Sequence, residues 1–302
     1  MAIRIGIITV QEPDYHPNRR LLEAAREAGH EGILIHPYHL WPKTAAGQLE
    51  MTGTLSGPLP HVVLPRQGAQ IGDACLALIR QFQLMGVTLV NDMAAVSTAR
   101  NKFLTQQMLA AAGLPCPDTV FVNDESGFYH AVDQLGGYPV VAKQVSERQG
   151  DGILRITDAN DARERALPAL DRHRGLMVQR YLPPEKRRDI RALVIDGEVV
   201  CAASLIPPKG EFRANFHLGS TIKATALASE LEQTAVGAAT AVGCEVAGVD
   251  MIVDKDDRPF IVEVNYSPGF KGLEAATGLN IAGRIIQFAA DRYRQIRESL
   301  NV

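Results

Sequence analysis

The sequence predicts a parallel α/β domain followed by a larger α+β body. Two observations carry that prediction. The first ninety or so residues alternate short apolar runs with helix-spaced segments, and the remainder mixes β-hairpins with helices. A chain of 302 residues, 46% hydrophobic and 22% charged, is also long enough for two or three domains around real cores.

IRIGIITV (residues 3–10) reads as a buried parallel strand, RRLLEAAREAGH (19–30) as a helix ending at Gly29, and GILIHPY (32–38) as a second strand. This βαβ unit lacks GxGxxG, so it gives no support to a Rossmann dinucleotide site. After a Gly/Pro-rich passage come the strand HVVLPR (61–66) and the helix DACLALIRQFQLMG (73–86). A helix over 97–113 stops at Gly113, with Pro115 just beyond. YPVVAKQV, GILRIT and LMVQRYL are strands, and RALVIDGEVVCAAS is a hairpin about Asp196-Gly197. ELEQTAVGAATAVG is a helix, GVDMIV and PFIVEVN are strands, and IAGRIIQFAADRYRQI closes the chain as a helix. The expected domains are 1–93, 94–182 and 183–302.

A net charge of −3 supplies no basic field, so nucleic acid and membrane surfaces are not expected partners. The four cysteines, Cys75, Cys116, Cys201 and Cys244, form no CxxC or Cys/His cluster, which predicts a reducing, cytoplasmic setting. The N-terminal apolar run holds Arg4 and lacks a small-residue cleavage site. It is therefore not expected to be a signal peptide.

The segment FIVEVNYSPGFKG (260–272) places acids and amides where a buried strand is expected. Strict alternation puts Ile261, Glu263 and Asn265 on one face, and Val262 and Val264 on the other. If the preceding turn is Lys255–Arg258, Asp254 faces Pro259 and Asp250 faces Glu263. Like charges directly opposite are destabilising unless a cation lies between them. Asp250, Glu263 and Asn265 are hard oxygen donors that suit Mg²⁺. The competing reading is a half-exposed hairpin with solvated acids. Asp254, Asp256 and Asp257 read as turn residues without the EF-hand spacing.

Lys143 ends a strand, an awkward place for an ammonium unless it faces an anion. QVSERQGDGILRI then sets Gly150 and Gly152 in a loop able to lay backbone N–H groups over phosphates. Alone, such a GxG is most often a plain turn, and Lys102, early in a helix, is the kind of lysine that water usually solvates.

Taken in chain order, Lys102 before AAGLPCP, then PVVAKQVSERQGDGI, MVQRYL, EFRANFHLG, VDMIV and EVNYSPGFKGLEAATGLNIAG resemble the ATP-grasp ligases. The similarity is strongest to the ribosomal-protein glutamate ligase (RimK) branch. It implies an N-terminal pre-ATP-grasp domain followed by a two-subdomain ATP-grasp fold. The implied cofactors are ATP and two Mg²⁺ ions, with Mn²⁺ as an alternative. By the same resemblance Lys102 and Lys143 contact phosphates, residues 146–153 form a lid, and Ser146, Gln149, Gly150 and Gly152 bind nucleotide. Gln179, Arg180, Tyr181 and Leu182 form the adenine hinge, and Asp189 also binds nucleotide. Arg191, Arg213 and Asn215 face the γ-phosphate and acyl group; Asp250, Glu263 and Asn265 hold the metal; Arg66, Ser267 and Gly269 face substrate. Arg180 departs from the acid that relatives often carry at the hinge, and SLIPPKGEF is less basic than its counterpart.

The activity implied is a carboxylate–amine ligase working through an acylphosphate and adding glutamate or another α-amino acid to a peptide, protein or small-molecule acceptor. A dimeric or tetrameric homo-oligomer is the implied assembly. The alternatives are a small-metabolite ligase of glutathione-synthetase or lysine-biosynthesis type, or a non-catalytic ATP-binding regulator. His36 and His39 read as structural, His217 as a candidate substrate contact, Trp41 as a surface or interface aromatic, and Arg187-Arg188 as a solvated turn.

Overall fold

The computed structural model of the chain describes residues 1–55, 57–67, 72–145, 152–208, 211–213 and 219–300. β1 (Arg4–Ile8) is buried along its whole length, as a parallel strand covered on both faces must be. With α1 (His16–Glu27) and β2 (Glu31–Ile35) it makes the βαβ unit read from the sequence. A hairpin that the sequence did not suggest follows: β3 (Leu40–Ala45) and β4 (Gln48–Gly53). Most of its side chains face solvent, Trp41 among them, and its apolar alternation is short, limited to Leu49 and Met51 of β4. β5 (Val62–Pro65), α2 (Asp73–Leu84) and β6 (Thr88–Leu89) complete a parallel sheet of order β2-β1-β5-β6.

The helix expected over 97–113 is two helices, α3 (Met93–Ala99) and α4 (Lys102–Ala111). Asn101 is extended, and its Oδ1 accepts from the N–H groups of Phe103 and Leu104, capping a fresh helix. The break places Lys102 at the first turn of α4, where its N–H donates to the Val145 carbonyl at 3.0 Å.

β7 (Thr119–Val122) and α5 (Glu125–Gln134), both missed in the sequence, open the next layer. β8 (Val140–Lys143), β9 (Ile153–Ile156), the helical turn α6 (Ala159–Asp161) and β10 (Leu176–Arg180) complete an antiparallel sheet of order β7-β10-β8-β9. The last sheet is antiparallel, of order β13-β12-β11-β14-β15. It comprises β11 (Arg188–Ile195), β12 (Glu198–Ile206), β13 (Thr221–Ala224), β14 (Val246–Val253) and β15 (Pro259–Asn265). Asp196 and Gly197 both take positive φ between β11 and β12, as the tightest hairpin turn requires. α7 (Ser229–Val242) precedes β14, and α8 (Lys271–Thr277) and α9 (Ile281–Leu300) follow β15.

Two of the hydrophobic clusters mix side chains of the N-terminal sheet with side chains of the five-stranded sheet. The third is drawn wholly from residues 122–178. The four-stranded sheet therefore has a core of its own.

The carboxylate hairpin departs from strict alternation. Asp250 does face Glu263, but Val253, and not Asp254, faces Pro259. The turn is one residue longer than expected, and a bulge between Asp250 and Met251 restores the register by leaving Val262 as the extra residue. The phase of the strand shifts there. Ile261 and Val264, three positions apart, both enter the same core, while Val262 and Glu263 both line a cleft. The expected grouping of Ile261 with Glu263, and of Val262 with Val264, is thus overturned by one extra residue. β15 is an edge strand, and α4 covers it: the Ile261 N–H donates to the Pro115 carbonyl, and its carbonyl accepts from Gln106 Nε2.

Candidate functional site

The cleft lies between the β7-β10-β8-β9 sheet and the five-stranded sheet and is open to solvent. One wall is Val141, Lys143, Ile153 and Gln179; the other includes Arg191, Asp250, Ile252, Val262 and Glu263; Tyr181 and Leu182 join them. Lys143, Arg180, Arg187, Arg191 and Arg213 face three carboxylates, Asp189, Asp250 and Glu263. Arg180 and Arg213 are paired to acids outside the lining, Asp118 and Glu211, while Lys143 meets an amide oxygen, which leaves it able to receive an anion.

Each acid of the hairpin is held by its own cation. Arg191 grips Asp250 in a bidentate pair, Nε–Oδ1 at 2.7 Å and Nη2–Oδ2 at 2.6 Å. Lys102 Nζ lies 3.3 Å from Glu263 Oε1, with only 11% of the lysine side chain exposed. The lysine that looked solvated in sequence is therefore drawn into the site by the α4 cap. Burial pushes the Glu263 carboxyl up, but Lys102, Arg191 and Lys143 together bring it below the usual range. Burial raises Asp250, and Arg191 opposes that rise.

Lys143 projects from the end of β8 without a carboxylate in hydrogen-bonding contact among the described residues. Its Nζ donates to Gln179 Oε1 at 2.6 Å, and Gln179 Nε2 donates to Thr119 Oγ1 at 2.8 Å. Burial brings the ammonium down to about 8, with Glu263 pulling it up and Lys102 pushing it further down. Gln179, expected at the adenine hinge, thus spends its side chain underneath Lys143, and no sequence signal marked Thr119.

The other expected residues fall into separate groups. Arg180 turns to Asp118 at 3.2 Å and stacks on Phe260 at 5.3 Å. Tyr181 packs between Arg155 and Phe212. Arg213 lines the cleft while paired to Glu211 at 2.7 Å. Arg66 stands next to the turn after Glu263: its Nη2 donates to the Pro268 carbonyl at 2.6 Å, it stacks on Phe270, and burial lowers it to about 10. Asn265 Oδ1 accepts from the Ser267 N–H, which shapes that turn. Gly248 admits it, since a Cβ there would lie 2.8 Å from Pro268 Cβ. Gly152 has a positive φ of 71° just before β9. Ser146, Gln149, Gly150, Asn215 and His217 lie outside the described residues.

Arg187 is a correction. It was expected to be solvated, yet its side chain is 5% exposed and tied to Asp189 at 2.9 Å. Arg188 is exposed and pairs with Asp257. His36 and His39 stack on each other with centroids 4.0 Å apart. Asn91, unremarked in the sequence, ties the end of β6 to the carboxylate hairpin. Its amide donates to the carbonyls of Val246 and Tyr266 and accepts from the Val246 N–H.

A metal would meet only oxygen on this hairpin: the carboxylates of Asp250 and Glu263 and the amide oxygen of Asn265. No group of three His, Cys, Asp or Glu residues converges among the described residues. The donors therefore fit a hard cation that completes its shell with water or ligand oxygens, as Mg²⁺ does. The same described residues contain no helix long and apolar enough to cross a membrane.

A family model described as the RimK-like ATP-grasp domain matches residues 99–289, and one described as the RimK PreATP-grasp domain matches residues 3–96. The "Probable alpha-L-glutamate ligase" of Legionella pneumophila (strain Corby) is 34% identical over 297 residues, 97% of each chain. The "Probable alpha-L-glutamate ligase 1" of Shewanella amazonensis is 35% identical over 289 residues, 95% of each. Among solved structures, the ATP-grasp ligase PsnB, complexed with a phosphomimetic variant of its minimal precursor, Mg and ADP, superposes with a TM-score of 0.73. That match covers 96% of this chain and 98% of PsnB at 20% identity, a likeness of fold.

Proposed function

Because the chain belongs to the RimK-like ATP-grasp family, we propose that it is an ATP- and Mg²⁺-dependent carboxylate–amine ligase that attaches glutamate to a peptide, protein or small-molecule acceptor. In this reading one carboxylate oxygen attacks the γ-phosphorus of ATP and ADP leaves. An amine then attacks the acylphosphate, phosphate departs, and the amine gives up a proton.

The observation that carries the reading is the set Lys102, Lys143 and Arg191 converging on Asp250 and Glu263 at one end of a cleft between two sheets. Phosphoryl transfer asks for positioning and charge neutralisation more than for a protein nucleophile. Lys143, held by Gln179, and Lys102, held by Glu263, are poised to receive phosphate oxygens. Arg191 fixes Asp250 through a bidentate pair and opposes the rise that burial causes. Asp250, Glu263 and Asn265 would hold magnesium, which when bound neutralises the phosphates. Arg66 and the Ser267–Gly269 turn supply the substrate side, and Arg180, Tyr181 and Leu182 the hinge side. The assembly we favour is a cytoplasmic homo-oligomer.

The test is an acceptor-free trap. The protein is incubated with Mg-ATP, hydroxylamine and single carboxylates, glutamate and glutamate-terminated peptides among them, and ADP and hydroxamate are followed together. Carboxylate-dependent hydroxamate in step with ADP is the expected result. ADP release that ignores every carboxylate offered, with no hydroxamate, would overturn the ligase reading.

A further inference from the structure

Arg187 has three bonds pointing to three different parts of the cleft. Its Nε donates to Asp189 Oδ2 at 2.9 Å, its Nη1 to the Leu182 carbonyl at 2.7 Å, and its Nη2 to the Phe212 carbonyl. Leu182 lies two residues past the end of β10, Asp189 is the second residue of β11, and Phe212 belongs to the segment that carries Arg213. All four residues line the same cleft. A guanidinium suits this role because its donors are rigid and coplanar, so one side chain fixes three acceptors at set angles. A lysine could not hold all three in one plane.

The charge arrangement points the same way. Burial raises the Asp189 carboxyl and Arg187 opposes that rise, so the ion pair offsets part of the cost of burying an acid beside the cleft. The bond to Arg187 occupies Oδ2, and no hydrogen bond to Oδ1 is found among the described residues. The Phe212 ring meets Tyr181 edge-on, so the clasp also fixes an aromatic pair at the mouth.

Resting on the ligase reading above, we infer that Arg187 is a positioning residue of the nucleotide site: it clamps the Leu182 hinge carbonyl and the 211–213 segment, and it aims the free oxygen of Asp189 into the cleft. It touches neither the transferred phosphoryl group nor the metal donors, so its loss acts on nucleotide affinity and leaves the chemical step largely intact.

The experiment measures Mg-ADP binding by calorimetry, together with KM for ATP and kcat, for wild type, Arg187→Met, Arg187→Lys, Asp189→Asn and the Arg187→Met/Asp189→Asn double variant. Thermal melting is followed in parallel. The expected result is an approximately tenfold weaker Kd and higher KM in Arg187→Met, with kcat within about threefold of wild type. Arg187→Lys recovers part of the loss. The double variant binds little worse than the poorer single, because both act through one pair. If Arg187→Met melts too low to assay, Arg187→Lys and the double variant, which removes the unpaired acid, carry the test. Unchanged Mg-ADP affinity in Arg187→Met, or a fall confined to kcat, overturns the inference while wild-type binding leaves the ligase reading standing. Absence of Mg-ADP binding by wild type overturns both.

Discussion

Asp250 and Glu263 stand opposite each other in the β14–β15 ladder, and each is held by a cation from a different element, Arg191 from β11 and Lys102 from α4. Two like charges at paired positions persist because four ionic groups share one small volume. Removing any one of them leaves its partner's charge unmatched at the cleft, which is destabilising. The predictions below follow from that coupling and from the contacts around it.

Glu263→Gln keeps the shape of the strand and removes one charge. Magnesium-dependent ADP formation should fall by about two orders of magnitude or more, while the circular dichroism spectrum stays native. Turnover within a few-fold of wild type would show that Glu263 does not hold the metal.

Lys143 gives a pH signature. Without ligand its ammonium is held at about 8, against 10.5 for an ordinary lysine, chiefly by burial. Between those values the folded chain has released a proton that the unfolded chain keeps, so stability of the free protein should rise with pH across this window. Affinity for Mg-ATP should run the other way, falling above about pH 8 as the charge that meets phosphate disappears. Calorimetry at pH 7 and pH 9 in two buffers should show proton uptake on binding at pH 9, and Lys143→Met should abolish it.

Gln179→Leu removes the acceptor beneath Lys143 and the donor to Thr119. The lysine then loses its fixed direction. We expect KM for ATP to rise about tenfold with a smaller change in melting temperature, and Gln179→Glu to recover binding by restoring an acceptor. Equal KM values for wild type and Gln179→Leu would dismiss the support role.

Asn91→Ala strips three backbone groups of their partner at once, in a fully buried setting. The expected cost is about 2–4 kcal/mol in urea unfolding. A loss below about 0.5 kcal/mol would mean that the interface relaxes around the gap.

Much of this architecture was legible because apolar periodicity reports burial. The βαβ start follows from it, while the Asp196-Gly197 hairpin is read from its turn residues and the facing pair Asp250/Glu263 from an assumed turn length. The β3–β4 hairpin went unread because most of its residues are exposed and its alternation, Leu49 and Met51, is too short to stand out. The cap at Asn101 was hidden inside a run of good helix formers. The Val262 bulge could not be read because the longer turn and the extra residue offset each other, giving the right carboxylate pair from the wrong register. Thr119, and the role of Gln179 beneath Lys143, escaped because the partners lie 60 and 36 residues away along the chain. For Arg187, Asp189 and Leu182 are near in sequence, but the bond to Phe212 spans 25 residues and nothing local marks it.

The cleft walls belong to different hydrophobic cores, one drawn wholly from residues 122–178 and the others shared by the remaining sheets. The four-stranded layer is therefore a candidate foldon in its own right, able to exchange its amide hydrogens by opening locally while the rest stays protected. A ligand seated across the cleft would tie the two cooperative units together. Occupancy would then register as slowed exchange in β7 and α5, which share the core of this layer but do not line the cleft.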